Sequence, residues 1–112
     1  MRLHYLVLFL SLLVLRGVES ASKPGGWSPI KDLKDPHVVE IANYAVSEYD
    51  KRSGANLKLV KVVKGETQVV AGANYRLVLK VSGGSATDNY EAVVWEKPWL
   101  HFRNLTSFKP LH

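Results

Sequence analysis

The chain has 112 residues and no cysteine, with 15 Lys+Arg against 10 Asp+Glu. That length holds one domain with a modest core, and the missing thiols exclude a disulfide scaffold, a Cys-ligated metal site, an iron–sulfur cluster and a thiol nucleophile. The charge surplus is mild and interleaved, with no basic run longer than two residues, which reads as a solvated mixed surface rather than a nucleic-acid interface.

The first 20 residues read as a signal peptide. Arg2 precedes an apolar run, Tyr5 to Leu15, broken only by Ser11, and Val18-Glu19-Ser20 leads to a cut at Ser20–Ala21. The run is shorter than the ~20 apolar residues that span a bilayer. Its removal leaves 92 residues, and with Arg2, Arg16 and Glu19 gone the charges become 13 basic against 9 acidic, a net +4. The expected destination is the secretory route, with secretion and vacuolar delivery both open.

Residues 21–34 are rich in Gly, Pro, Ser and Lys and read as a flexible trunk, with a short extended piece near Trp27–Lys31. Asp35-Pro36 is a helix start, because Asp caps orphan amides and Pro loses nothing at the first helical position. Val38, Ile41, Ala42, Ala45, Val46 and Tyr49 then recur on one helical face. Lys51-Arg52 suits the C-terminal dipole, and Gly54 offers the left-handed closing position. The spacing predicts a helix of about 15 residues.

After Gly54 the pattern becomes β. Leu57–Lys64 is a strand whose alternation slips once, between Lys58 and Lys61, which predicts a bulge. Gly65-Glu66-Thr67 and Ala71-Gly72-Ala73 are both turn-compatible. In Asn74–Val81, Tyr75, Leu77, Leu79 and Val81 share one face. Ser82-Gly83-Gly84-Ser85 is a hairpin loop, Tyr90–Trp95 a strand, Lys97-Pro98 a breaker and Leu100–Phe108 a last strand. The expected fold is α+β: an antiparallel sheet of four to five strands wrapped on one amphipathic helix.

Catalytic and cofactor signatures are missing. The four His (His4, His37, His101, His112) lack metal-binding spacing, so neither metal nor cofactor is expected. Gly83-Gly84-Ser85 sits between strands without a P-loop pattern, and no nucleophile elbow occurs. The reading is a non-enzyme. Asn104-Leu105-Thr106 is the one glycosylation sequon, usable if Asn104 points to solvent.

The informative residues lie in loops. Gln68-Val69-Val70-Ala71-Gly72 puts apolar residues at a turn, where polar ones are the rule. Pro98-Trp99 puts a large aromatic at the next hairpin, and Gly25-Gly26 lies in the trunk. Taken singly each has a structural explanation: a strand running on into its turn, a Trp folded onto the core, a plain linker. Together they gain weight, because the topology brings both hairpin loops and the trunk to one end of the sheet. Such an apolar edge marks a partner site.

With these residues in place the chain resembles the cystatins, specifically the plant cystatins. Gln68–Gly72 matches the family's Q-x-V-x-G loop, Pro98-Trp99 its second-hairpin P-W, and Gly25-Gly26 its N-terminal glycines. Ile41-Ala42-Asn43-Tyr44-Ala45-Val46 is similar to the plant helix motif L-A-R-F-A-V, with Asn43 in place of the common basic residue. Tyr90-Glu91-Ala92 and Val94–Trp99 resemble further plant stretches, and the absence of Cys fits that group. The resemblance covers residues 24–110 and lacks the C-terminal extension of some plant members.

It implies a single domain over residues 21–112 that reversibly inhibits papain-like cysteine proteases in defence or endogenous regulation. Gly25, Gly26, Gln68, Val69, Val70, Ala71, Gly72, Pro98 and Trp99 would then enter the protease cleft as a three-part wedge. The expected partner is that protease, with no nucleic acid and no membrane. The mature form would be a monomer whose first loop offers a hinge for a domain-swapped dimer. Two alternatives stand beside inhibition. One is a non-inhibitory binding protein on the same fold, and the intact loop motifs argue against it. The other is an antimicrobial membrane protein, and the polar, acidic outer helix face (Glu40, Glu48) argues against that.

Overall fold

The computed structural model describes residues 26–84 and 87–112. The leader, most of the trunk including Gly25, and residues 85–86 lie outside that description. In chain order the elements are β1 (Trp27–Pro29), α1 (Pro36–Ser53), β2 (Lys58–Val70), β3 (Gly72–Ser82), β4 (Asn89–Lys97) and β5 (Phe102–Pro110). A one-turn 3-10 helix, Pro98–Leu100, links β4 to β5. The strands form one antiparallel sheet in the order β1-β2-β3-β4-β5, every neighbour joined in sequence order.

The helix begins where its cap demands. The Asp35 carboxylate accepts from the His37 amide at 2.8 Å, and Pro36 occupies the first turn. It ends at Gly54, whose φ of 76° and amide bond to the Asp50 carbonyl close the last turn. The helix has 18 residues, a turn longer than the spacing suggests, because Lys51–Ser53 continue it to the glycine.

Its apolar face, Val38, Ile41, Ala42, Ala45 and Val46, is buried against Leu77, Leu79, Val81, Ala92, Val94 and Leu105 of the sheet. Ile41, Leu77 and Leu79 are fully buried, each contributing ~1.5–3 kcal/mol of apolar transfer. Tyr49 closes the far end, stacked on Phe108 with centroids 4.2 Å apart. Two helix side chains bond to the backbone of β5: the Tyr44 hydroxyl donates to the Arg103 carbonyl at 3.1 Å, and Arg52 Nη1 to the Leu105 carbonyl at 3.0 Å.

Three local expectations change. Gly65-Glu66-Thr67 is strand interior, not a turn, because β2 runs unbroken to Val70. Gly65 serves close packing: a Cβ there would stand 2.8 Å from Ile30 Cδ1 and 3.0 Å from Leu77 Cδ2. Its carbonyl accepts the Ile30 amide at 2.9 Å, where the trunk crosses toward the helix. The Lys58–Lys64 stretch carries two register shifts rather than one, between Leu59 and Lys61 and between Val62 and Lys64. The last strand starts at Phe102, since Pro98–Leu100 coils and His101 takes the left-handed region at φ 49°.

Candidate functional site

The β2–β3 turn and the β4–β5 connection stand side by side at one end of the sheet. Register fixes this: Val70 pairs with Gly72, Ala73 with Glu96, and Lys97 with Phe102. Trp27 pairs with Gln68 in antiparallel sense, so the chain before β1 leaves at the same end. Gln68, Val69, Val70, Ala71, Gly72, Pro98, Trp99 and Gly26 are thereby brought to one edge, and Gly25 lies outside the described residues.

That edge is apolar and wet. Val69 is 69% exposed, Val70 39%, Trp99 64% and Leu100 60%. Trp99 does not fold back onto the core. Exposed large apolar side chains gathered at one edge are the feature that marks a partner surface.

The two loops are bolted together by residues with no obvious role in the sequence. Trp95 Nε1 donates to the Ala71 carbonyl at 2.8 Å, tying the stem of the second loop to the tip of the first. The Lys97 ammonium lies 4.3 Å from the Trp95 ring centroid, and Trp95 and Phe102 meet in a T-shaped contact at 5.5 Å. Gly72 has φ 92°, and a Cβ there would overlap the Glu96 carbonyl oxygen. Only glycine permits both the turn and the close approach. Asn74 donates to the Gln68 side-chain oxygen at 3.0 Å and braces the loop base.

The trunk side is braced too. Arg76 donates to Glu66 Oε1 from Nη2 at 2.7 Å and from Nε at 3.0 Å, and lies 4.1 Å above the Trp27 ring. This holds β1 and the start of the trunk beside the first loop.

Under the second loop sits the one buried charge among the described residues, Glu96, 4% exposed. His37 Nε2 lies 2.7 Å from its Oε1, and Arg103 Nε donates to Oε2 at 2.9 Å. Arg103 also pairs with Glu40, whose carboxyl that hydrogen bond holds below its ordinary value, while the Arg103 guanidinium is raised in turn. Beside them the half-buried Tyr75 phenol is pushed up, first by burial and then by the Glu96 charge. An open cleft of about 480 Å³ between helix start and second loop is lined by His37, Glu96 and Arg103 of this network and by Tyr44, Pro98, His101 and Phe102.

Asn104 is half-buried in β5 opposite Trp95. Its sequon partner Thr106 spends its hydroxyl on the Val93 carbonyl at 3.1 Å.

One helix laid on a five-strand meander, with an exposed apolar edge of two interlocked loops, is the cystatin fold. Residues 30–111 match the family model described as SQAPI, aspartic acid proteinase inhibitor. Cysteine proteinase inhibitor 5 of Arabidopsis thaliana is 54% identical over 93% of this chain and 91% of its own. Cysteine proteinase inhibitor 1 of Actinidia chinensis var. chinensis is 55% identical over 76% of this chain and 73% of its own. Among solved structures, the salivary cystatin of the soft tick Ornithodoros moubata superposes with a TM-score of 0.68 at 28% identity, covering 80% of this chain and all of that one. The chain belongs to the family these matches define, the plant cystatins or phytocystatins. Members of that family are protease inhibitors rather than enzymes.

Proposed function

We propose that this chain is a reversible, competitive inhibitor of papain-like cysteine proteases. Gly25-Gly26, Gln68–Gly72 and Pro98-Trp99 occlude the active-site cleft. The observation that carries the reading is the exposed Val69, Val70 and Trp99 on two loops locked by the Trp95–Ala71 bond. Val69, Val70 and Ala71 bury apolar area with few rotors to immobilise, and the loops arrive already fixed, so little ordering entropy opposes binding. Trp99 is the anchor, the residue type most enriched at binding hot spots. Occlusion uses no bond to the catalytic thiolate, so the inhibitor needs no nucleophile, acid or metal.

The same reading takes residues 1–20 as a cleaved signal peptide and 21–112 as the mature, monomeric inhibitor. It acts in defence or in control of endogenous proteolysis. The basic and apolar make-up of Arg2–Leu15 supports the first part, and the intact loop motifs support the second.

The family model's description favours a second reading, inhibition of aspartic proteinases. The relatives at 54% and 55% identity are both named for cysteine proteinases, and that places the cysteine reading first. One titration separates them. The purified mature chain is added to papain and to pepsin, with and without residues 21–26. Competitive loss of papain activity, weakened by truncation, is expected, with pepsin untouched. Papain left fully active at micromolar inhibitor would sink the reading, and a pepsin-only effect would install the second.

A further inference from the structure

The outer face of the sheet's other half carries a charge pattern that inhibition does not use. Lys58, Lys61 and Lys64 recur every third residue on β2, a spacing that in a regular strand would send the middle one to the opposite face. The two bulges cancel the slip. Lys58 pairs with Ser82, Lys61 with Lys80 and Lys64 with Val78, and Ser82, Lys80 and Val78 alternate onto one face of β3. Four lysines therefore project from one surface, all exposed. The bulge residues Val60 and Val63 are 55% and 45% exposed. The partner positions from Ser82 to Val78 span about 14 Å at ~3.4 Å per residue.

None of the four lysines has an ion pair among the described residues, whereas the acids on the flanking stretches are already engaged. Glu66 is held by Arg76 and Glu91 by Lys109. Lys61 directly opposite Lys80 is a like-charge cross-strand pair, an arrangement that costs stability. Edge protection explains lysines on residues 58–64 of β2, because among the described residues β1 pairs only with residues 66–68 and nothing else pairs along that edge. It does not explain Lys80, which lies on β3 with a strand on either side.

We propose that this lysine face binds a linear carboxylated polysaccharide, a uronic-acid polymer with one negative charge per sugar. Lysine ammonium groups are compact point charges that meet a row of carboxylates without fixed geometry. The guanidinium and ring that border the lysines on this side, Arg76 and Trp27, are engaged with Glu66 and with each other, so neither is offered as the free stacking platform a single-stranded nucleic acid would use. The lysine-bearing stretches, residues 58–64 and 78–82, contain no Trp, Tyr or Phe to sit at a lipid interface. Binding there leaves the loop edge free, because Lys58 pairs near the Ser82 end of β3 and the first loop is at its Gly72 end.

The test uses the full mature chain and polygalacturonate, with neutral dextran, phosphatidylserine vesicles and a single-stranded oligonucleotide as comparisons. Salt-sensitive binding to polygalacturonate but not dextran is expected, also in the presence of bound papain. The variant Lys58→Gln/Lys61→Gln/Lys64→Gln/Lys80→Gln should lose about tenfold or more in affinity and flatten the salt dependence, with papain inhibition unchanged. Lys80→Gln alone, which relieves the like-charge pair, should weaken binding severalfold without lowering the melting temperature. The proposal is overturned by no binding to polygalacturonate, by equal binding of the quadruple variant, or by tighter binding to vesicles or oligonucleotide. Papain inhibition and polymer binding are read separately, so failure of one does not touch the other.

Discussion

The two halves of β2 have little in common. In the half from Gly65 to Val70, Glu66–Gln68 lie between β1 and β3, and the strand delivers an apolar turn to the end of the sheet. From Lys58 to Lys64 it has no second neighbour among the described residues, and it is twice bulged and studded with lysine. The first half is shaped by what it must hold still, the second by charge and water. One strand can carry both because bulges re-aim side chains locally without disturbing the pairing beyond them.

If the loop half is a rigid platform, its glycine is the place to break it. Gly72→Val forces a β-branched residue to φ 92° and into the Glu96 carbonyl. A loss of about 3 kcal/mol or more of stability is expected, with inhibition falling alongside. Denaturant unfolding with a parallel papain titration measures both.

Glu96→Ala comes next. It strips His37 and Arg103 of their shared carboxylate at 2.7 and 2.9 Å. About 2 kcal/mol is expected, below the ~3–5 of a fully buried pair, because both partners keep access to water. The same unfolding experiment reads it.

Trp95→Phe sharpens the comparison further. It keeps a ring and removes the donor to the Ala71 carbonyl, so about 1 kcal/mol is at stake. Inhibition should weaken severalfold through faster dissociation, while the equivalent apolar trim in the lysine half, Val60→Ala, should leave it unchanged. Stopped-flow dissociation rates distinguish the two.

The smallest effect is a pH dependence. The Tyr75 phenol is raised above 10.0 in the fold, so its neutral form is the one the native state favours. The contribution is complete below pH 10.0 and disappears as pH rises through the raised folded value. Tyr75→Phe should flatten that alkaline fall, seen as a smaller drop in melting temperature above pH 10.0.

The helix and its burial were readable from Val38, Ile41, Ala42, Ala45, Val46 and the caps Asp35 and Gly54. Local spacing and cap chemistry determine them before any tertiary contact forms. The placement of Val69, Val70 and Trp99 at the tips of the candidate site was readable too, because apolar residues at turns break the ordinary rule. The braces were not. Trp95, Glu96, Arg76 and Trp27 act through partners 7 to 59 positions away, and only the register of assembled strands brings those partners within reach. Gly65 misled for the same reason: its lack of a side chain is used by Ile30 and Leu77, not by a turn. The lysine face was half visible, since one register slip was evident and the second needed the β3 pairing.

In the proposed binding mode an exposed tryptophan on a pre-fixed loop anchors this chain in a papain-like cleft. The most direct measurement is the papain inhibition constant of the intact chain against Trp99→Ala, with both melting temperatures. A rise of about 30-fold or more, ~2 kcal/mol, is expected, with the melting temperature unchanged because Trp99 is 64% exposed. Equal inhibition constants for the two proteins would contradict it.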